Sequence, residues 1–358
     1  MEYEMLKEEV MEFIEGNRGK EDEEFFQMAS KVFAFQYKTN STYRKYCRNK
    51  RVSPRTIKQL QDIPVVPIQA FKEVDLACFR EEEAEAVFMT SGTTNLTKRG
   101  KNIHKSLHIW KRSMLCNFQQ GMMAGKRNMR MIVLFPAVEE IPNSSLATYL
   151  DLAVEHFGTE DSEYVVSQNN FDIPRFLEIV RKAEKKGEAL FILGATFSFI
   201  QFIDYCHENR ISCELPSESI IMHTGGSKGR TREMGIEEFT TEICTLFNLS
   251  KTQCRNMYGM TELSSQFYNF EKASDFIPPH WVKTFVVDPE TLQPVNKGDK
   301  GLLIHYDLAN VHSVFGILTE DVGIETDEGF RLLGRMEGAE AKGCSLAVEE
   351  LTTVGKSR

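Results

Sequence analysis

No run of this sequence is apolar for long enough to cross a membrane. The longest runs, such as "MIVLF" at 131–135, have the length of a strand, whereas a spanning helix needs about 20 residues. The amino-terminal stretch "MEYEMLKEEV" is charged throughout, which excludes the apolar segment of a secretory leader. The eight cysteines, Cys47, Cys78, Cys116, Cys206, Cys213, Cys244, Cys254 and Cys344, include no C-x-x-C pair and no cluster with histidine at zinc spacing. Neither a structural zinc nor a disulfide framework is therefore expected, and a soluble protein in the reducing cytoplasm is. An excess of basic charge is also missing: 43 Lys and Arg stand against 52 Asp and Glu, a net charge of -9, which leaves no broad basic face for nucleic acid. The small basic group Lys98, Arg99, Lys101 and Lys105 is either solvated surface or a small anion site. Internal repeats and low-complexity linkers are absent as well.

A chain of 358 residues accommodates two or three domains of roughly 150 residues, or one large α/β domain with an appendage. Residues 1–60 read as helices, with Met5, Val10, Phe13 and Ile14 on one face and a second pattern of Phe25, Phe26, Met28, Val32, Phe33 and Phe35. A helical amino-terminal cap is expected there. Over 61–282, strand-sized apolar runs alternate with helical patterns. "MIVLF" precedes a helix over 144–157, "LFILG" at 190–194 precedes "TFSFIQFIDYC", and "SIIMHTGG" at 219–226 precedes a helix over 230–247. The alternation predicts βαβ units and an α/β core whose sheet has parallel stretches. Over 283–358 the pattern changes to short strands, "KTFVVD", "GLLIHY" and "SVFGILT", parted by turn chemistry at Asn296-Lys297-Gly298-Asp299 and Asp327-Glu328-Gly329. A smaller β-rich carboxyl-terminal subdomain is expected.

Four loops carry chemistry suited to a nucleotide. "VFMTSGTTNLTKRGK" (87–101) breaks from a strand-like run into one Gly, several hydroxyls and then cations, a set that offers N–H groups, hydroxyls and charge to a polyphosphate. It is not a Walker loop, and Ser/Thr/Gly stretches are also ordinary turns. "HTGGSKG" (223–229) follows an apolar strand; paired glycines at a strand's carboxyl end admit a ring or phosphate to the backbone, or simply make a tight turn. In "NMYGMTE" (256–262), Tyr258 can stack on a base, Thr261 can bond a phosphate and Glu262 can hold Mg²⁺. "TEDVG" (319–323) leaves a strand with an Asp suited to vicinal ribose hydroxyls, and Gly334-Arg335 follows.

The order of these pieces is that of the adenylate-forming superfamily, which includes acyl-CoA synthetases and firefly luciferase. With "IPVVPIQAFK" (63–72), "PNSSL" (142–146), "GGSKG" and "GRMEGAEAKGCSL" (334–346), the chain more closely resembles the acyl-protein synthetase (LuxE) family, the fatty acid ligases of bacterial bioluminescence, over 63–346. The resemblance implies an ATP-dependent, adenylate-forming ligase that joins a long-chain fatty acid to AMP and releases pyrophosphate. It implies that Thr90, Ser91, Gly92, Thr93 and Thr94 cradle phosphates and that Gly225 and Gly226 wall the adenine pocket. It also has Tyr258 with Gly259 stacking on adenine, Thr261 touching phosphate, Glu262 ligating Mg²⁺, and Asp321 with Arg335 holding the ribose. Cys344 would take the acyl group as a thioester and pass it to a fatty acyl reductase partner.

The chain departs from the superfamily pattern in two places. Asn95-Leu96-Thr97-Lys98 stands where Gly-x-Pro-Lys is usual, and the sequence ends at Arg358, soon after Arg335. A full mobile carboxyl-terminal lid domain, with its lysine, is therefore expected to be missing. Lys228 is the candidate for that lysine's role, against a reading as a helix-start surface residue. Cys344 would otherwise read as a small buried apolar residue, with Lys342 and a helix start after Ser345 available to lower its pKa.

Other groups read more simply. Phe197, Phe199, Ile200, Phe202 and Ile203 make a helix apolar on nearly every side, a core element or an acyl-channel wall. His104 and His108 stand four apart on an expected helix, a metal-pair spacing with no third ligand in sight. His223 is placed to orient a carboxylate. Two alternatives remain at this point, an acyl-CoA ligase like the phenylacetate ligases and a degenerate nucleotide-binding scaffold that holds a reductase.

Overall fold

The computed structural model describes residues 2–16, 21–90, 99–168, 170–225, 231–270, 275–336, 348 and 350–353. It divides into two compact units that interleave along the chain. One comprises Met1–Asn117, Met260–Gln266 and Ile277–Arg358; the other comprises Phe118–Gly259 and Phe267–Phe276.

The second unit is built on a mostly parallel sheet. Its strands run in the order Glu163–Tyr164, Arg130–Leu134, Leu190–Ala195, Ile220–Thr224, Cys254–Tyr258 and Phe267–Tyr268, and only the last is antiparallel to its neighbour. Leu190–Ala195 and Ile220–Thr224 are buried at every position. A parallel sheet covered on both faces needs side chains that tolerate burial on both, which is why these strands read as unbroken apolar runs. Between them lie helices Ser145–Phe157, Ile173–Lys186, Thr196–Asn209 and Ile236–Phe247. Ser144 caps the first by accepting from the Ala147 N–H; Asp172 caps the second, which has Pro174 in its first turn and ends at Gly187 in the left-handed region. The helix expected from 230 begins at Ile236 instead, because Gly235 is extended and serves as its N-cap. Phe199, Ile200, Phe202 and Ile203 are buried in this unit's core with Phe176 and Phe247.

In the first unit the amino-terminal residues form helices Glu2–Glu15, Asp22–Thr39 and Ser41–Asn49. Buried Asn40 ends one and caps the next, accepting from the Tyr43 N–H. An antiparallel meander joins Val282–Val287, Lys300–Asp307, Gly316–Glu325 and Phe330–Arg335, and the short strand Val66–Pro67 lies parallel to Gly316–Glu325. The strands Ala86–Met89 and Lys101–His104 pair as an antiparallel hairpin.

Two further local expectations change. "TEDVG" does not leave a strand but lies within Gly316–Glu325, where the register shifts between Val322 and Gly323. A β-carbon at Gly323 would stand 2.7 Å from Leu303 Cδ2 and 2.8 Å from the Arg331 carbonyl, so the glycine marks a bulge rather than a strand end. His104 and His108 do not share a helix face, because His104 closes a strand and His108 opens the helix His108–Phe118. His104 is buried with its ring 6.0 Å from that of His312, and among the described residues no group of three or more His, Cys, Asp or Glu could hold a metal ion. No helix of the described residues is long and apolar enough to cross a membrane.

Candidate active site

The meander of the first unit sets two of the candidate residues side by side. Asp321 and Arg335 are register partners on adjacent strands, with Arg335 Nε 3.8 Å from Asp321 Oδ1 and Nη2 3.2 Å from Glu320 Oε2. The Asp321 side chain is 16% exposed and that of Arg335 62%, so the pair presents a carboxylate backed by strand and a cation reaching into solvent. Thr319 Oγ1 accepts from the Asp321 N–H at 3.1 Å and donates to the Leu303 carbonyl at 2.9 Å. This cross-link holds the bulged strand in place just before Asp321.

The carboxylate of Glu262 approaches the same residues from the stretch Met260–Gln266. Its backbone is held by a buried polar web that sequence reading did not single out. Asn102 Nδ2 donates to the Thr261 carbonyl at 3.0 Å, and Asn310 Nδ2 donates to the Glu262 carbonyl at 2.9 Å. Asp307 accepts from the N–H groups of Ser264 and Ser265 at 2.8 Å each, from Ser265 Oγ at 2.7 Å and from the Ala309 N–H at 3.0 Å. Trp281 Nε1 donates to Ser265 Oγ at 2.9 Å. The Glu262 main chain is thus fastened on one side, while its side chain faces Asp321 and Arg335. Burial pushes the Glu262 carboxyl up to about 7; its own backbone N–H, Lys72 and Arg335 pull it down and Asp321 adds to the rise.

The hydroxyl-rich loop begins at Thr90. Thr90 N–H donates to the Gly100 carbonyl at 2.9 Å, and the Gly100 N–H donates to Thr90 Oγ1 at 3.0 Å, closing the neck of the loop. A β-carbon on Gly100 would lie 3.2 Å from Thr90 Cγ2, 3.4 Å from Glu262 Oε1 and 3.5 Å from Lys72 Cγ. The loop neck, the buried carboxylate and a lysine stem therefore meet around one glycine.

In the second unit, Gly225 follows the strand Ile220–Thr224 with φ +72°, a conformation that favours glycine. Its carbonyl accepts from Thr196 Oγ1 at 2.7 Å. Tyr258 ends the adjacent parallel strand, where Met257 is the partner of Thr224. The Tyr258 ring is 8% exposed and packs 5.4 Å from the ring of Phe267 and 5.6 Å from that of Phe276; Gly259 is exposed. His223 is buried, hydrogen-bonded to Thr196 at 3.0 Å and set 4.4 Å from the Phe239 ring.

Thr90, Thr261, Glu262, Asp321 and Arg335 thus belong to the first unit, and Gly225, Tyr258 and Gly259 to the second. Ser91, Gly92, Thr93, Thr94, Gly226, Lys228 and Cys344 lie outside the described residues. The residues missed by motif reading are Lys72, Asn102, Asp307 and Asn310. For Asp307 and Asn310 the signal was a polar residue inside an apolar run, "YDLANV", where a buried polar group must be satisfied internally; Lys72 and Asn102 carry no such signal. The donor set fits Mg²⁺ bound together with a nucleotide: one protein carboxylate suffices when phosphate oxygens and water complete an octahedron.

A sequence model of the family described as "Acyl-protein synthetase, LuxE" matches residues 11–353. Over 338 residues the chain is 26% identical to the long-chain-fatty-acid–luciferin-component ligase of Aliivibrio fischeri, covering 90% of this chain and 87% of that protein. Its fold resembles that of 2-hydroxyisobutyryl-CoA ligase in complex with an acyl adenylate, with a TM-score of 0.65 at 14% identity over 88% of this chain and 68% of that one. ATP-bound MatB from Rhodopseudomonas palustris follows with a TM-score of 0.52 at 14% identity, over 72% of this chain and 49% of that one. At such identities the structural likeness carries the fold, that of the adenylate-forming ligases.

Proposed function

The chain belongs to the acyl-protein synthetase LuxE family and is an ATP-dependent ligase of adenylate-forming fold; on that premise we propose that it activates a long-chain fatty acid and hands the acyl group on through Cys344. The observation that carries the activation step is the convergence of the Glu262 carboxylate with Asp321, Arg335 and the Thr90–Gly100 loop neck in one unit. In that step a fatty carboxylate oxygen attacks the α-phosphorus of ATP, the bond to the bridging oxygen breaks, and pyrophosphate leaves with the electron pair. The reaction brings anions together, so it needs preorganised donors and cations. Asp321 accepts from the ribose hydroxyls with Arg335 beside it. Thr261 and the loop from Thr90 through Ser91, Gly92, Thr93 and Thr94 donate to phosphate oxygens. Gly225, Gly226, Tyr258 and Gly259 line the adenine. Glu262 would hold Mg²⁺, which when bound would add charge neutralisation to that of the side chains.

In the second step the Cys344 thiolate attacks the acyl carbonyl, AMP leaves with its phosphate oxygen, and a thioester remains. A fatty acyl reductase is the proposed recipient in the cytoplasm. The test is to incubate the purified protein with a fatty acid, ATP and Mg²⁺ and to weigh it. An acyl mass adduct labile to hydroxylamine is expected, and it is expected to vanish in Cys344→Ser; an adduct retained in that variant rejects Cys344 as the acceptor. The likeness to a CoA ligase supports a second reading, in which Cys344→Ser instead still makes acyl-CoA from added coenzyme A.

A further inference from the structure

We propose that Lys72 is a catalytic residue whose ammonium neutralises the α-phosphate and the incoming carboxylate during activation, an inference that rests on the activation reading above and deepens it. The neighbouring cations are already engaged. Arg335 is engaged by Glu320 and Asp321, Lys101 by Glu81 at 2.9 Å and Lys105 by Glu83 at 3.1 Å. Lys72 is exposed, and no ion pair among the described residues engages it.

The position of Lys72 is set by its backbone. Val66 and Pro67 pair with Ile317 and Leu318 of the strand that carries Asp321, and the Ile68 N–H donates to the Leu318 carbonyl at 3.0 Å. The helical turn Ala70–Glu73 follows at once, with Ala70 and Phe71 buried, and the Lys72 N–H donates to the Gln69 carbonyl at 3.0 Å. Gln69 also donates to Glu320, the carboxylate that holds Arg335. The Lys72 stem then passes the same Gly100 that touches Thr90 and Glu262. One rigid frame therefore carries the ribose-binding candidates, the loop neck and this lysine.

A lysine suits the task because its ammonium is a compact charge on a flexible stem, able to follow charge as it shifts from carboxylate to phosphoryl oxygens. A buried carboxylate nearby adds negative charge to a site that must receive several more, and a cation at its rim offsets that. Lys228, the candidate drawn from the sequence, lies outside the described residues and serves as the rival in the test.

The full chain is assayed for carboxylate-dependent exchange between ATP and pyrophosphate, with a panel of short- to long-chain acids. ATP and adenosine affinities are measured separately by equilibrium dialysis. Lys72→Met is expected to lower the exchange kcat by about 100-fold and to weaken ATP by about 10-fold, with adenosine affinity and the unfolding midpoint unchanged. Lys72→Arg is expected to recover part of both, and Lys182→Met, a surface control paired with Glu178, to change neither. Exchange and ATP affinity within threefold of wild type in Lys72→Met overturn the proposal and leave the activation reading standing, the more so if Lys228→Met is the variant that loses exchange. Equal weakening of ATP and adenosine, or a lowered unfolding midpoint, overturns it in favour of a structural role. A wild type that exchanges with no acid of the panel overturns the activation reading and Lys72 with it.

Discussion

Glu262 combines two conditions that are hard to reconcile elsewhere in a protein: its carboxyl is 6% exposed, yet three charged side chains act on it. Glu262→Gln keeps the shape and removes the charge. It is expected to lower fatty-acid-dependent pyrophosphate release by at least about 100-fold while leaving Cys344 as reactive as before toward a simple thiol reagent; a parallel loss of both would point to misfolding rather than chemistry. Asp307 is the contrasting case, a buried carboxylate whose four hydrogen bonds, to the N–H groups of Ser264, Ser265 and Ala309 and to the Ser265 hydroxyl, all serve the fold. Asp307→Asn turns a donor toward N–H groups and is expected to destabilise the fold by about 2–3 kcal/mol. Burial raises Asp307 from 3.8 to about 6, so between those values the folded state binds the extra proton and gains stability as pH falls. The gap between wild type and Asp307→Asn should therefore widen by about 1 kcal/mol from pH 7 to pH 5, as measured by urea unfolding. Motif reading reached Glu262, Asp321 and Arg335 because their chemistry is written in short patterns. Asp307 shows in the sequence only as a polar residue within an apolar run, Lys72 carries no pattern of its own, and their neighbours reveal what each does.

At the scale of elements, the strand Gly316–Glu325 does the most to shape the candidate site. It pairs with Lys300–Asp307 on one side and with Phe330–Arg335 and Val66–Pro67 along its length, so Asp321, Arg335 and Lys72 inherit their positions from it. The bulge at Gly323 adjusts that alignment. Gly323→Ala would press a methyl against Leu303 and the Arg331 carbonyl, and is expected to cost about 2 kcal/mol and to weaken nucleotide binding by displacing Asp321 from Arg335. An unfolding midpoint and ATP affinity equal to wild type would show that the bulge is not needed. The alternating strands and helices were legible because short unbroken apolar runs and a 3.6-residue period are written directly in the apolar pattern. The bulge was not, because Thr-Glu-Asp-Val-Gly is equally good turn chemistry, and cross-strand contacts with Leu303 and Arg331 decide between the two.

The whole molecule buries four histidines as neutral rings. Burial pulls His104, His223 and His305 down to about 3 and His312 down to about 4. A histidine whose folded value lies below its unfolded 6.5 contributes stability that is present above pH 6.5 and lost as pH falls toward the folded value. Each should cost about 2 kcal/mol at pH 5; the opposite trends of Glu262 and Asp307 offset only part. A net loss of several kcal/mol between pH 7 and pH 5 is expected in urea unfolding. Stability that is flat or rising over that range would contradict it.

The sequence by itself determined the class of fold and the family, because apolar periodicity and the order of Gly, Thr, Glu, Asp and Arg motifs are properties of the chain read in one dimension. Only the tertiary structure decided that the stretch Tyr258-Gly259-Met260-Thr261-Glu262 is divided, with Tyr258 and Gly259 in one unit and Met260 to Glu262 in the other. It alone decided that Glu262 is buried on a web of Asn102, Asp307 and Asn310, and that Lys72, almost 200 positions earlier, stands beside it. The physical reason is that charge and hydrogen bonding act through space over a few ångströms, and the separation of two residues along the chain says nothing about that distance until the strands between them have paired.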